Sequence, residues 1–126
     1  MGDHLRRAVA ALALASAFCL TACERSQDAA ALERLPEAAK HDLYCSWAVD
    51  AAARRPFRAD EDAARMRNAS DALASAARKA PGVSESDARK ASSALKEQAG
   101  RDYLQYTLKY SVDDCLARSD ELAGRR

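Results

Sequence analysis

The side chains best able to do chemistry in this chain are four cysteines, Cys19, Cys23, Cys45 and Cys115. A thiolate can act as a nucleophile, bind a metal ion or enter a disulfide. A metal site would need further ligands, and His41 is the only histidine beyond the first ten residues. We therefore expect no metal site, and the thiols have to be explained by the segments that carry them.

Acid–base catalysis has little support in the sequence. Asp113 and Asp114 precede Cys115, and on a helix such adjacent carboxylates point about 100° apart. They would not converge as a general acid and base must, so we interpret them as a solvated face. His41, one helical turn before Cys45, is interpreted as a structural residue. The sequence has no glycine-rich phosphate loop and no nucleophile motif, and we expect neither an enzyme nor a cofactor.

The N-terminal region has the pattern of a targeting segment. Arg6 and Arg7 precede a mostly apolar stretch at residues 8–20, which has signal-peptide length and is too short to span a bilayer as a helix. Ordinary cleavage after Ala22 would place the bulky Leu20 three positions before the cut, where a small residue is expected. Residues 1–22 are therefore predicted to be a signal peptide, but not one for simple secretion.

The sequence LTAC at residues 20–23 resembles the lipobox of bacterial lipoproteins. The resemblance implies that a diacylglyceryl group alkylates the Cys23 thiol, that the signal is removed just before it and that the new N-terminus is acylated. Two or more acyl chains make a lasting membrane anchor. In Gram-negative members an aspartate after the cysteine favours inner-membrane retention, so Glu24 implies the outer membrane, facing the periplasm. The alternative is a soluble secreted protein in which Cys23 is incidental.

This resemblance leaves two cysteines for the mature domain, because Cys19 departs with the signal peptide and Cys23 is acylated. Disulfides persist in exported proteins, so the implied pairing is Cys45 with Cys115. The bridge would close a loop of 115 minus 45, or 70, residues, and would stabilise the fold by about 4 kcal/mol on the chain-entropy account. Two free thiols in the core are the alternative.

Charge excludes one class of partner. Removing Arg6, Arg7 and Asp3 with the signal peptide leaves 20 minus 2 basic and 19 minus 1 acidic residues, a balance of zero, so we expect no nucleic acid partner. The one basic cluster is RRPFR at residues 54–58. We interpret it as a solvated turn between helices, with contact to lipid headgroups or to an acidic partner as the alternative.

The mature chain is predicted to be a polar, lipidated tether at residues 23–34 followed by an all-α domain at residues 35–126. Alanine, arginine, glutamate and leucine dominate, and helix breakers are widely spaced. A first helix is predicted from about Leu35 to Arg54. A second is predicted from Asp60, its expected cap, to Ala80.

The predicted third helix begins at its cap, Ser84. If it ran unbroken to the end of the domain, Cys115 would lie too far from Cys45 for a bridge. We therefore predict a C-cap at Gly100 and a fourth helix from Asp102 to about residue 122. The expected architecture is an up-down bundle of four helices stapled by one disulfide. A three-helix arrangement with a long, kinked last helix is the alternative.

The predicted last helix carries two apolar faces. One is an aliphatic stripe of Leu104, Leu108, Val112 and Cys115, which is expected to face the core. The other is the tyrosine stripe, defined here as Tyr103, Tyr106 and Tyr110, which lies nearly opposite. An exposed row of aromatic rings often marks an interface, so the tyrosine stripe is a candidate surface for a partner protein or a homodimer. The alternative is that residues 24–34 fold back over the rings. Trp47 is interpreted as a core residue.

Two functions follow as hypotheses. The first is a membrane-anchored protein-interaction module, either an adaptor of an envelope or secretion machine or an inhibitor or immunity factor; in architecture alone it is similar to the helical secretion pilotins. The second is a small-molecule or lipid binder with a cavity lined by Leu43, Tyr44 and Trp47. Close packing of alanine-rich helices is expected to leave little room for such a cavity.

Overall fold

Five helices make up residues 20–124, the part of the chain that the computed structural model describes. They are α1 over residues 20–34, α2 (Glu37–Ala53), α3 (Asp60–Lys79), α4 (Glu85–Leu104) and α5 (Val112–Gly124). These residues contain no strand, so the all-α prediction is confirmed, whereas the expected count of four helices is one too low. Residues 1–19 lie outside the described part, and with them Cys19 and most of the predicted signal peptide.

The additional helix is α1, which occupies the segment predicted to be a tether. Ala31 is fully buried, and Leu32 packs against the core formed by α2, α3 and α4. The helix stops just before Pro36, because the residue ahead of a proline avoids the helical conformation. Residues 23–34 are therefore helical, with the last turn packed on the bundle and the turns around Cys23 exposed.

The central helix is α2, which packs against α3, α4 and α5. Where α2 meets α3, the hydroxyls of Ser46 and Ser70 each donate to the other residue's backbone carbonyl at 2.9 Å. Cys45 of α2 and Cys115 of α5 form the disulfide, with Cα atoms 5.1 Å apart. The predicted bridge is thereby confirmed, and it ties the last helix to the middle of the bundle.

The start of α4 and its buried face match the sequence prediction. Ser84 is the N-cap, and its hydroxyl accepts a hydrogen bond from the Asp87 backbone N–H at 3.1 Å. The buried face of α4 consists of the residues Ala88, Ala91, Leu95 and Ala99. For α3, the N-cap is Ala59 and not Asp60, which lies in the first turn with two further acidic residues, where carboxylates favour the helix dipole.

The predicted helix end at Gly100 is wrong, because α4 continues through Gly100 to Leu104. A glycine inside a helix costs about 1 kcal/mol relative to alanine, and tertiary contacts on both sides of Gly100 outweigh that cost. Ala99 is fully buried, and the Asp102 carboxylate accepts a hydrogen bond from the Tyr44 hydroxyl at 2.8 Å. The chain reverses six residues later than expected.

α4 is terminated by Tyr106, which lies two residues beyond the last helical residue, Leu104, and takes the left-handed conformation with φ of 57°. Its N–H donates to the Tyr103 carbonyl at 3.2 Å, and the Thr107 N–H donates to the Asp102 carbonyl at 2.8 Å. These two bonds are those of a Schellman motif, in which glycine normally occupies the left-handed position. The sequence prediction missed this helix end because a tyrosine stands where a glycine is expected.

The two faces predicted for the last helix do not exist, because residues 105–111 form a loop. Tyr103 belongs to the end of α4, whereas Tyr106 and Tyr110 belong to the loop. Leu104, expected among the buried aliphatic residues, is 78% exposed. Only Cys115 of that face is fully buried, because α5 starts at Val112 and has its own orientation.

Candidate functional site: an aromatic groove between α2 and α4

An open groove of about 790 Å³ lies between α2 and α4 and is closed at one side by loop 105–111. We call it the α2–α4 groove. Its apolar and aromatic lining consists of Trp47, Tyr103, Leu104, Tyr106, Leu108 and Val112. The volume is within the range of small-molecule sites in proteins, but the groove is open at the surface and is not the expected cavity of Leu43, Tyr44 and Trp47, since only Trp47 lines it.

The groove exists because the last two helices pack on different neighbours. α4 packs mainly against α2, whereas α5 packs against α2 and α3. Loop 105–111 therefore has to pass over α2 to connect them, and it leaves the C-terminal half of α4 uncovered on one side. Leu104 and Tyr106, 78% and 88% exposed, stand at that uncovered edge.

Tyr44 fastens the loop to the bundle. Its hydroxyl donates to the Asp102 carboxylate at 2.8 Å and accepts from the Lys109 backbone N–H at 3.0 Å. The ring of Tyr110 packs edge-on against those of Tyr44 and His41, with centroids 5.8 and 4.2 Å apart. The loop that carries Tyr106 and Leu108 is thus held at both ends by core contacts.

These contacts split the tyrosine stripe. Tyr103 and Tyr106 line the α2–α4 groove, whereas Tyr110 packs on the core beside His41 and contributes to a small cavity that also includes Leu32 of α1. The interpretation of three tyrosines as one surface is therefore wrong. For Tyr110 the structure favours the alternative, that other parts of the chain cover the ring.

The rim of the groove is basic. Lys96 places its ammonium 5.1 Å from the centre of the Trp47 ring, a cation–π contact. Arg54 pairs with Asp50 at 2.8 Å and neutralises the one acidic residue of the lining. Arg55 is exposed and forms no ion pair within residues 20–124. The groove therefore combines an apolar floor with an excess of positive charge at its edge.

Trp47 is the part of the predicted ligand cavity that does line the groove. It is half-buried, and its indole N–H donates to the Ser92 hydroxyl at 2.9 Å. Leu43 and Tyr44, predicted to line the same cavity, are 2% exposed and belong to the core. Leu104, Leu108 and Val112 were missed as groove residues because the prediction placed them on a buried helical face.

The residues around the disulfide do not form a catalytic arrangement. The Asp42 carboxylate is buried and receives two hydrogen bonds from Arg118, at 2.9 and 3.2 Å, while His41 lies 3.3 Å from it. His41 also approaches Cys45 Sγ at 4.0 Å, but that sulfur is bonded to Cys115 and is no nucleophile. The cluster is a structural one in which an ion pair and an aromatic ring surround the bridge.

The remaining sequence expectations concern exposed acids, metal ions and membrane spans. Asp113 and Asp114 are both exposed at the start of α5, as expected for a solvated face. Within residues 20–124 no cluster of histidine, cysteine or acidic side chains is arranged to hold a metal ion. No helix in that range has the length and apolar character needed to cross a bilayer.

Burial raises the pKa of Tyr44 from its ordinary value of 10.0 to about 12, because the phenolate would lose its hydration. The raised value predicts a stabilisation that is present below the pKa of the unfolded chain and is lost as the pH rises through about 12. Urea unfolding between about pH 9 and pH 12 should show this fall in stability. Tyr44→Phe, which cannot ionise, should show a flatter profile, and identical profiles for both proteins would contradict the assignment.

The fold and site define a small, disulfide-linked all-α bundle that carries an apolar groove with a basic rim. Comparison with protein-family models, with curated proteins and with solved structures finds no match to this chain. The residues of the groove and the N-terminal pattern are therefore the features that bear on function.

Proposed function

We propose that this protein is a lipid-anchored envelope protein that binds a partner protein through the α2–α4 groove. Acylated Cys23 would hold it at the membrane, in the outer membrane facing the periplasm as the lipobox and Glu24 imply. The groove would take an apolar segment of the partner. The single observation that carries the proposal is the exposed aromatic and aliphatic lining of the groove.

The backbone at Tyr106 supports a role for its side chain outside the fold. A non-glycine residue in the left-handed region is strained, and glycine would occupy this helix end at no such cost. The ring is nevertheless 88% exposed and buries little apolar surface in the bundle. Strained residues of this kind cluster at binding sites, where the side chain has a use that the fold does not explain.

The lining also indicates the chemistry of the partner segment. Tyrosine and tryptophan are favoured anchors at interfaces because they contribute a large rigid area and a polar group. Lys96 and Arg55 at the rim favour acidic residues beside the apolar anchors of the partner. An amphipathic segment with leucine-type anchors and flanking carboxylates is the partner surface that fits best. This chemistry suits an adaptor of an envelope or secretion machine and an inhibitor or immunity factor equally.

The proposal predicts that Tyr106→Gly combined with Leu104→Gln abolishes capture of the partner without loss of stability. Glycine relieves the strain at a positive φ and should preserve or raise stability by about 0.5–1 kcal/mol, and glutamine is a good helix former at an exposed position. The measurement is a pull-down of the full-length lipoprotein from its own envelope in mild detergent, followed by mass identification of the proteins that co-purify.

Phe57→Gly is the matched control for this experiment. Phe57 is also an exposed aromatic residue with positive φ, at 65°, but it does not line the groove. The control should retain the partner. Equal capture by all three proteins would remove the groove from the proposal, and the identity of the captured protein would separate an adaptor from an inhibitor.

A small-molecule or lipid ligand is the second candidate, because the groove has a ligand-sized volume and an apolar floor. The two candidate functions predict that different ligands stabilise the protein. An envelope lipid extract should raise the melting temperature if the groove binds a lipid, and should leave it unchanged if the groove binds only a protein segment. Tyr106→Gly with Leu104→Gln would remove the lipid effect in the first case.

A further inference from the structure

The end of the bundle at which the described part of α1 begins is also the end where α4 finishes. Arg34, at the end of α1, pairs with Asp87 near the start of α4 at 2.8 Å. Arg25, nine residues earlier in α1, reaches Glu97 further along α4 at 4.0 Å. The two helices are therefore antiparallel. Exposed Cys23 lies two residues, about 3 Å along the helix axis, beyond Arg25.

The loop between α2 and α3, at residues 54–58, projects from this same end, which we call the anchor end. Residues 54–56 line one side of the α2–α4 groove together with Leu104 and Tyr106 at the end of α4. Leu104 is seven residues, about 10 Å, further along α4 than Glu97. The end of α4 and loop 54–58 thus reach about 7 Å past the level of Cys23.

The exposed large apolar side chains of residues 20–124 are concentrated at the anchor end. They are Leu20, Phe57, Leu104 and Tyr106. Two of them line the groove, and Leu20 belongs to the predicted signal peptide. Phe57 has no packing contact in the bundle that would explain an aromatic residue at this position. Its ring is fully exposed, and its backbone is in the left-handed region.

Loop 54–58 is held in place and is not merely a loose connection. The Arg58 guanidinium donates to the Ala52 carbonyl at 2.7 Å and so satisfies one of the last carbonyls of α2. Pro56 restricts the backbone just ahead of Phe57. These contacts hold the loop so that the Phe57 ring stands at the tip of the loop. The unpaired guanidinium of Arg55 lies two residues before that ring.

The charges around the loop are of both signs, and this pattern suits contact with a headgroup layer that also carries both signs. Three arginines within residues 54–58 are followed by three acidic residues in the first turn of α3. A phospholipid headgroup layer carries phosphate and amine groups together, and aromatic rings favour the boundary between headgroups and acyl chains. Arginine can reach the phosphates while its apolar stem covers the ring.

From these observations we infer that loop 54–58 is a second membrane contact, in which the Phe57 ring enters the bilayer interface and Arg55 binds lipid phosphate. The inference rests on the proposed acylation of Cys23, which brings the bilayer to the anchor end. Because the last turn of α1 packs on the bundle, two contacts would fix the orientation of the whole molecule. The α2–α4 groove would then open beside the bilayer surface, and its partner segment would be one that lies close to the membrane.

The test places a single tryptophan in the loop of the full-length lipoprotein. Trp47→Phe removes the natural tryptophan, and Phe57→Trp then reports on the loop. Ser86→Trp in the same background is the control, because Ser86 is exposed in the first turn of α4, at the opposite end of the bundle. Both proteins are reconstituted in protein-free vesicles of phosphatidylethanolamine and phosphatidylglycerol.

We expect nitroxide-labelled lipids to quench the tryptophan at position 57 several-fold more strongly than the one at position 86, and acrylamide in the water to do the reverse. Adding Arg55→Glu should return the tryptophan at position 57 to water. Equal behaviour of the two tryptophans would overturn the inference. So would shielding of position 57 that appears only after a partner protein is added, because the loop would then contact protein.

Two further measurements keep the result interpretable. Hydroxyl-radical footprinting of the unsubstituted lipoprotein in the same vesicles should find Phe57 protected, which does not depend on how the tryptophan variants fold. Partner capture in detergent, measured with Phe57→Gly, tests the groove alone. Capture with an unshielded position 57 would leave the proposed function standing and reject the membrane contact; shielding without capture would do the opposite.

Discussion

Cys115→Ser is expected to lower the free energy of unfolding by about 4 kcal/mol, because the Cys45–Cys115 bridge closes a 70-residue loop and restricts the unfolded chain. Both sulfur atoms are fully buried, so a serine hydroxyl in that place adds a desolvation cost. For a domain of about 100 residues this corresponds to a fall in melting temperature of roughly 20 °C. Urea and thermal unfolding followed by circular dichroism would measure it.

Reduction of the unsubstituted protein is the matched control, and it should reproduce most of the loss without introducing a new side chain. Cys23→Ser should leave the unfolding curve unchanged, because Cys23 is exposed and outside the bridge. Coincident curves with and without reductant would show that the bridge contributes nothing. The bridge also holds α5 against α2, and Val112 at the start of α5 lines the α2–α4 groove, so partner binding should weaken with it.

Arg118→Ala should be nearly as damaging, with a loss of about 3 kcal/mol. Asp42 is 4% exposed and receives two hydrogen bonds from the Arg118 guanidinium, so the substitution leaves a buried carboxylate with only the His41 ring, 3.3 Å away, beside it. Breaking one partner of a buried ion pair typically destabilises by about 3–5 kcal/mol, and the partial exposure of Arg118 places the expectation at the lower end. Urea unfolding at neutral pH is the measurement.

A variant that lacks both charges separates the ion pair from packing. Asp42→Asn combined with Arg118→Leu removes both charges and should recover much of the loss, because no unpaired charge remains buried. Glu121→Ala removes the exposed carboxylate that Arg118 also contacts, at 3.3 Å, and should change stability by less than about 1 kcal/mol. An Arg118→Ala protein as stable as Glu121→Ala would show that Asp42 does not need its partner.

Both predictions concern the attachment of α5, and both bear on the candidate site. The disulfide and the Asp42–Arg118 pair join α2 to α5 on successive turns, and the Tyr44 hydroxyl joins α2 to the loop just before α5. The side of the groove formed by loop 105–111 and the start of α5 therefore depends on three contacts made by α2. A groove supported in this way should keep its shape before the proposed partner binds, which would lower the entropy lost on binding.

Local signals in the sequence were sufficient for the parts of the fold that local physics controls. The amino acid composition predicts helices because alanine, leucine and arginine have high helix propensity. Ser84 starts α4 because its hydroxyl satisfies a backbone N–H three residues away, and α3 ends just before Pro81 because proline cannot continue a helix. The bridge followed from the number of thiols left after the N-terminal pattern was interpreted.

The candidate site was predicted only in part, because its geometry depends on contacts distant in sequence. Tyr103, Tyr106 and Trp47 were singled out for their residue types, and all three line the α2–α4 groove. Their arrangement was wrong because the prediction ended a helix at Gly100. No signal within a few residues of Gly100 reveals that Tyr44, 58 residues from Asp102, holds that turn of α4 in place.

The sequence by itself determined the helical class, the disulfide and the predicted lipid attachment, because propensity, caps and cysteine chemistry act over a few residues or on single side chains. The tertiary structure decided that residues 20–34 form a helix on the bundle, where α4 ends and that a groove opens beside α2. These features depend on burial of Ala31 and Leu35, on the Tyr44 hydrogen bonds and on the different neighbours of α4 and α5. Such contacts join distant residues, and their free energies outweigh local preferences of about 1 kcal/mol.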